Sequence, residues 1–275
     1  MPQRPAQAAD SDELVERLRR HLQFLGFTHT LAHLDEHLAW ARRESPAPSA
    51  FVERVLAEEV AAKSAARIER RFALSGLPER KTLEAFDFNF QPGLGRSLVM
   101  ELATLDFVRH AEDLVITGKA GTGKSHILKA LALRACQQQL SVRYARCVDL
   151  LDDLYAGLAD DTYPRRLRRW CRPALLIIDD VGLGQLKRRG DEPTAAHMLF
   201  NLIDRRHAQT STGISSNIKL GDWGRYLGDA SLAAAVLDRL AMRAIRIDID
   251  GPSWRQKVAQ DRAAERSKGR GKPDQ

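Results

Sequence analysis

The stretch that most constrains this chain is Gly118-Lys119-Ala120-Gly121-Thr122-Gly123-Lys124-Ser125, which meets the pattern G-x-x-x-x-G-K-[ST] at every fixed position. Leu114-Val115-Ile116-Thr117 before it is a short β-branched apolar run, as a buried strand requires. After it, Ile127, Leu128, Leu131, Ala132 and Ala135 recur at helical spacing from Ser125 to Gln139. Glycines let the backbone curl until several N–H groups face one phosphate, with the positive end of the helix dipole beneath it. In such a loop Lys124 reaches the β- and γ-phosphates and the Ser125 hydroxyl ligates Mg²⁺. Four fixed positions matched within eight residues, between a strand and a helix, argue against an accidental glycine turn and predict a nucleotide site.

A second signal is Ala174-Leu175-Leu176-Ile177-Ile178-Asp179-Asp180, an apolar run with two carboxylates at its C-terminal end. Open parallel sheets hold ligands at those ends. Asp179 is expected to hold Mg²⁺, and Asp180 to act on the attacking water. Further strands are expected around Val142, Tyr144 and Ala145, from Thr210 to Ser216, and across Ala244-Ile245-Arg246-Ile247-Asp248-Ile249-Asp250. Asn217 follows the Thr210–Ser216 strand, where a polar tip can orient the water. Arg239, in Leu237-Asp238-Arg239-Leu240, reads either as a finger reaching a neighbouring subunit's phosphate or as a partner of carboxylates on its own helix; Arg243 is a second candidate finger.

Ahead of the glycine loop, Leu14, Leu18, Leu22 and Leu25 predict a helix capped at Ser11 or Asp12 and stopped at Gly26. A second helix is expected from Thr28 or Thr30 through Ala41, ending in Ser45-Pro46-Ala47-Pro48. A third spans Ser49 to Leu74, and its Lys63, Arg67, Arg70 and Arg71 read equally as a solvated face or a DNA-facing stripe. His33 and His37 stand one helical turn apart, and without companion ligands they read as an ordinary polar face. A linker follows, rich in Phe86, Phe88 and Phe90, which either pack on the next domain or lie beside a base. Glu101 to Ala111 is expected to be one helix.

The net charge of +7 permits a nucleic-acid partner without requiring one. The arginines from Arg165 to Arg172, next to Trp170, could grip phosphates or form a charged helix face with Leu167 and Trp170 turned inward. No apolar run approaches the ~18 residues of a membrane span, and no membrane partner is expected. Cys136, Cys147 and Cys171 lie in or beside apolar segments and read as reduced thiols of a cytoplasmic protein. Residues 261–275 are charged and expected to be disordered.

On these residues the chain resembles the IstB-type ATP-binding proteins of insertion sequences, AAA+ proteins close to DnaC-type helicase loaders. The resemblance runs from about Leu14 to Trp254. It is carried by Lys81-Thr82-Leu83-Glu84-Ala85-Phe86-Asp87-Phe88, Glu101-Leu102-Ala103-Thr104-Leu105-Asp106-Phe107, Leu176-Ile177-Ile178-Asp179-Asp180-Val181-Gly182-Leu183, Ser216-Asn217 with Trp223-Gly224, and Leu237-Asp238-Arg239-Leu240. It implies an α/β fold, an AAA+ P-loop NTPase whose parallel sheet lies between helices. The domains would be a helical N-terminal unit that binds DNA or a partner (1–75), a linker (76–97), the ATPase domain (98–250) and a basic, disordered tail (251–275).

The resemblance further implies ATP and Mg²⁺ as ligands, with Gly118 to Ser125 and Asp179 binding and Asp180, Asn217 and Arg239 acting in catalysis. It implies an ATP-dependent oligomer on duplex DNA, without sequence preference, that recruits or activates a DDE-type transposase. Where AAA+ proteins carry Glu, this chain has the shorter Asp180, which suits slow hydrolysis, and no helical lid with a sensor arginine is evident after residue 250. A DnaC-like helicase loader is the alternative. A small-molecule kinase is disfavoured by Asp179-Asp180, Asn217 and Arg239 together, and a plain DNA-binding module by the complete water-activating set.

Overall fold

The computed structural model describes residues 5–184, 186 and 193–269. The chain divides into two compact units, Met1–Glu69 and Arg70–Gln275. In the first, α1 (Pro5–Phe24), α2 (Thr28–Ala32), α3 (Leu34–Glu44) and the start of α4 (Pro48–Ser75) pack together. Helix α1 begins ahead of Ser11 and Asp12, the expected cap, and the expected second helix is broken into α2 and α3 at His33. The buried Glu59 carboxylate of α4 accepts from both the N–H (2.8 Å) and the hydroxyl (3.0 Å) of Thr30, which satisfies donors near the start of α2. His37 is not on a polar surface as expected: it is 3% exposed and stands 3.6 Å from Glu58. No group of three or more His, Cys, Asp or Glu among the described residues could hold a metal.

The second unit takes in the end of α4 and the linker, then α5 (Arg96–Leu102) and α6 (Asp106–Arg109), where one helix was expected from Glu101 to Ala111. Leu105 takes a left-handed conformation (φ 65°) with its side chain fully buried, and a helix cannot continue through such a residue. There follow β1 (Asp113–Gly118), α7 (Lys124–Gln137), β2 (Val142–Arg146), α8 (Cys147–Ala159), α9 (Tyr163–Cys171), β3 (Leu175–Val181), α10 (Ala195–Arg206) and β4 (Ser211–Ser216). Helices α11 (Trp223–Leu227) and α12 (Ala230–Arg243), strand β5 (Ala244–Ile249) and helix α13 (Trp254–Gly269) complete the unit. Helix α13 corrects the expectation of a disordered tail for that span. No described helix is long and apolar enough to cross a membrane.

All five strands are parallel, in the order β2-β3-β4-β1-β5. Alternation along each strand sends neighbours to opposite faces. Val115, Leu176, Ile178 and Ile214 join one core with the apolar sides of α8, α9, α10 and α12. Leu114, Ile116, Leu175, Ile177, Ile247 and Ile249 join a second core with α5 and α7. With both faces covered, the C-terminal ends of β1, β3 and β4 remain as the open edge where polar residues gather.

Candidate functional site

Strand β1 ends at Gly118 and α7 begins at Lys124, so the glycine loop is held at both ends by core elements. Gly123 has φ 99°, and a Cβ there would come within 2.5 Å of Phe86 Cε2. The loop therefore needs glycine for its backbone and for the ring packed on it. Lys124 is 3% exposed, and its Nζ donates to the Gly118 carbonyl, the Lys119 carbonyl and Asn217 Oδ1, each at 2.8 Å. Burial pushes the Lys124 amine below the usual lysine range, and the nearby Asp180 and Asp179 carboxylates counter that in part.

Asp179 is 1% exposed at the end of β3. Its Oδ1 accepts from Ser125 Oγ at 2.8 Å and from Ser215 Oγ, and its Oδ2 accepts from the Tyr144 hydroxyl at 2.7 Å. Ser215 Oγ in turn accepts from the Asp180 N–H at 2.8 Å. Burial, with the adjacent Asp179 and Asp180 charges, drives the Tyr144 phenol well above its usual range, so it remains a donor at neutral pH. Asp180 lies in the left-handed region (φ 62°), a conformation that Asp tolerates better than most side chains. Its Oδ1 accepts from Asn217 Nδ2 at 3.0 Å.

Of these groups Lys124, Ser125, Asp180 and Asn217 line a cavity of about 710 Å³, within the size range of nucleotide sites. Phe86 and Phe90 of the linker, Trp254 and Arg255 form further parts of its wall. The Trp254 N–H donates to the Gly121 carbonyl at 2.9 Å, and Gln91 Nε2 donates to the Pro252 carbonyl at 2.8 Å. The Phe90 and Trp254 rings meet edge to face at 5.0 Å. Sequence reasoning placed neither Tyr144, Ser215 nor the 252–255 segment at the site. For Tyr144 and Ser215 the available signal was position alone, near the C-terminal ends of strands flanking β3.

Ser125 and Asp179 are hard oxygen donors set side by side at the phosphate loop, the donor chemistry Mg²⁺ prefers when phosphates complete its shell. The residues present therefore fit that ion. The structure brings Lys124, Ser125, Asp179, Asp180 and Asn217 together. Arg239 is not among them: within this chain its guanidinium pairs with Asp204 at 3.0 Å and Asp238 at 3.7 Å. Arg243 donates to the His110 carbonyl at 2.8 Å. Lys187, Arg188 and Arg189, a further basic stretch that the sequence offers as one of three alternatives for tracking a DNA backbone, lie outside the described residues.

The family model described as IstB-like ATP binding protein matches residues 20–262. The ATP-binding protein of insertion sequence IS5376 from Geobacillus stearothermophilus is 34% identical over 207 residues, 75% of this chain and 80% of that relative. The corresponding protein of IS21 from Pseudomonas aeruginosa is 32% identical over 236 residues, 86% of this chain and 87% of that relative. Among solved structures, AMPPCP-bound DnaA from Aquifex aeolicus matches with a TM-score of 0.51 at 20% identity, over 69% of this chain and 56% of that one. That likeness speaks for the fold alone, a parallel-stranded α/β domain. With nearly its whole length matched and the phosphate loop assembled as described, the chain belongs to the IstB-like family of insertion-sequence ATP-binding proteins.

Proposed function

We propose that this protein is an ATP-hydrolysing, DNA-binding helper of insertion-sequence transposition, which assembles on duplex target DNA and recruits or activates its transposase. The observation that carries the ATPase part is the continuous set of hydrogen bonds Lys124–Asn217–Asp180 beside Ser125–Asp179. Lys124, Ser125 and Asp180 share the wall of one cavity, and Asp179 is bonded to Ser125, which supports reading them as the phosphate-binding cation, the metal ligands and the carboxylate for water. The part concerning transposition rests on the insertion-sequence relatives.

In this reading Lys124 turns from the loop carbonyls to the β- and γ-phosphates, and Ser125 and Asp179 hold Mg²⁺, which offsets phosphate charge when bound. Asp180 orients and deprotonates the attacking water, and Asn217 fixes the carboxylate's direction. The Asp180 side chain is one methylene shorter than a Glu and reaches less far, which favours slow turnover and a long-lived ATP state. Phe86, Phe90 and Trp254 offer apolar ring surface to the base. On assembly, Arg239 of one subunit exchanges Asp204 for the γ-phosphate held by its neighbour, so that hydrolysis depends on the oligomer.

The test is light scattering of the full chain on duplex DNA without nucleotide, with ADP and with a non-hydrolysable ATP analogue. A large assembly that needs the ATP analogue and DNA is expected. A monomer that ignores duplex DNA in all three states overturns the reading and favours a DnaC-like loader acting on a helicase.

A further inference from the structure

The arginines of α9 divide into two groups that the sequence presents as one cluster. Leu167 (1% exposed) and Trp170 (5%) turn inward, as one of the two readings expected. Arg166 bonds Asp153 and Asp160 at 2.7 and 2.6 Å, and Arg169 bonds Asp153 at 2.8 Å, so these two cations are neutralised within the fold. Asp153 also accepts from Trp170 Nε1 at 2.7 Å, which locks the helix to α8. Arg165, Arg168 and Arg172 are different. All three are exposed, and their guanidinium groups have no hydrogen-bond or ion-pair partner among the described residues. Their spacing of three and four residues puts them in one narrow stripe on the outer face of the helix and its C-cap.

We propose that Arg165, Arg168 and Arg172 form the contact with the phosphate backbone of duplex DNA, an assignment that rests on the DNA-binding reading above. At 1.5 Å of rise per residue the stripe is about 10 Å long. A duplex offers about six phosphate charges over that length, one per ~1.7 Å of axis. Guanidinium groups keep their charge at all working pH values and fork onto phosphate oxygens. A single-stranded partner would call for an exposed ring on which bases stack. Of the two rings on α9, Trp170 is buried and covered by Arg143, whose guanidinium carbon stands 4.4 Å from the ring centre, and Tyr163 packs against the core with its hydroxyl accepting from Asn201 Nδ2 at 3.1 Å. The face thus has charge without a stacking platform, which suits sequence-independent contact with a duplex backbone.

The test compares duplex binding by the full chain with that of the Arg165→Gln/Arg168→Gln/Arg172→Gln variant, in the presence of a non-hydrolysable ATP analogue and over a range of salt. Each lost phosphate contact lowers the slope of log K against log salt by about 0.9, so the triple variant should lose about 2.7 per bound protomer. Between about 50 and 200 mM salt, its affinity should then fall about 40-fold less than that of the unaltered chain. Binding of a fluorescent ATP analogue should stay as it was, which reports that the ATPase unit is folded. An Arg67→Gln/Arg70→Gln variant on α4 serves as the rival stripe. If the unaltered chain binds duplex DNA and the α9 variant keeps its slope, this assignment is overturned while the wider function stands. If the unaltered chain binds no duplex DNA in any nucleotide state, both fall together.

Discussion

Asn217 joins Lys124 to Asp180: its Oδ1 accepts from the lysine at 2.8 Å and its Nδ2 donates to the carboxylate at 3.0 Å. One amide thus connects the lysine of the glycine loop with the carboxylate proposed to act on water. Replacing Asn217 with Ala removes the donor that orients Asp180 but leaves the glycine loop in place. Turnover should fall by about 10²-fold, in line with the loss of a positioned proton-transfer partner, while nucleotide affinity changes little. Steady-state hydrolysis and fluorescent-nucleotide titration check the two halves; an equal loss in both would mean that Asn217 serves binding instead.

Tyr144 and Asp179 make a second testable pair. The Tyr144→Phe variant keeps the ring and loses only the hydroxyl that bonds Asp179 Oδ2 at 2.7 Å. Groups that orient a metal ligand typically contribute about 10-fold or more to metal affinity or activity. The Mg²⁺ concentration needed for half-maximal nucleotide binding should rise about 10-fold by that measure, with Mg²⁺-free nucleotide binding unaffected. An unchanged Mg²⁺ titration would leave Tyr144 a packing residue.

Lys124 gives the site a pH dependence of definite sign. Phosphates bind the protonated amine, and burial places its pKa below the ordinary 10.5. Nucleotide affinity should therefore be fully present at neutral pH and decline on the alkaline side before an ordinary lysine would titrate. In Lys124→Met the affinity should be lower throughout and lack that decline. Titrations from neutral to alkaline pH read this directly, and an identical alkaline profile in the variant would assign the effect elsewhere.

Gly123→Ala tests the tightness of the loop. The residue's φ of 99° suits glycine alone, and Phe86 Cε2 stands 2.5 Å from where the new Cβ would be. Left-handed strain alone costs about 1–2 kcal/mol, and displacement of Phe86 adds to it. Thermal unfolding should shift downward and nucleotide binding should be lost, both measurable on the purified variant. Native affinity in Gly123→Ala would mean that the loop and Phe86 separate readily.

Arg239→Ala removes pairs with Asp204 and Asp238 that are substantially exposed and contribute at most about 1 kcal/mol. The melting temperature and nucleotide affinity should barely move. ATP-dependent assembly and hydrolysis should be lost if Arg239 completes a neighbour's site. Normal hydrolysis by monomers of the variant would remove Arg239 from the mechanism.

Much of the nucleotide site was legible because its parts are local. A phosphate loop is eight consecutive residues between a strand and a helix, and Asp179-Asp180 follow directly on the four apolar residues that open β3. Apolar runs likewise announced β1 and β3, since burial on both faces leaves few polar positions between their ends. Asn217 could be read as a strand tip because it directly follows the Thr210–Ser216 stretch.

What the tertiary structure alone decided are the meetings between residues far apart in sequence. Tyr144 reaches Asp179 across 35 positions because β2 and β3 pair in parallel register, and a tyrosine in a strand carries no local mark of that. The segment from Pro252 to Trp254 closes on Gly121 through a backbone hydrogen bond that any residue type could make, and the Pro252 carbonyl accepts from the Gln91 side chain 161 positions away. The α9 arginines look alike in sequence, and only the positions of Asp153 and Asp160 separate the neutralised pair from the free three. Local spacing specifies which residues can share a face; partner identity depends on how the faces pack, and that is decided by burial and chain topology over the whole domain.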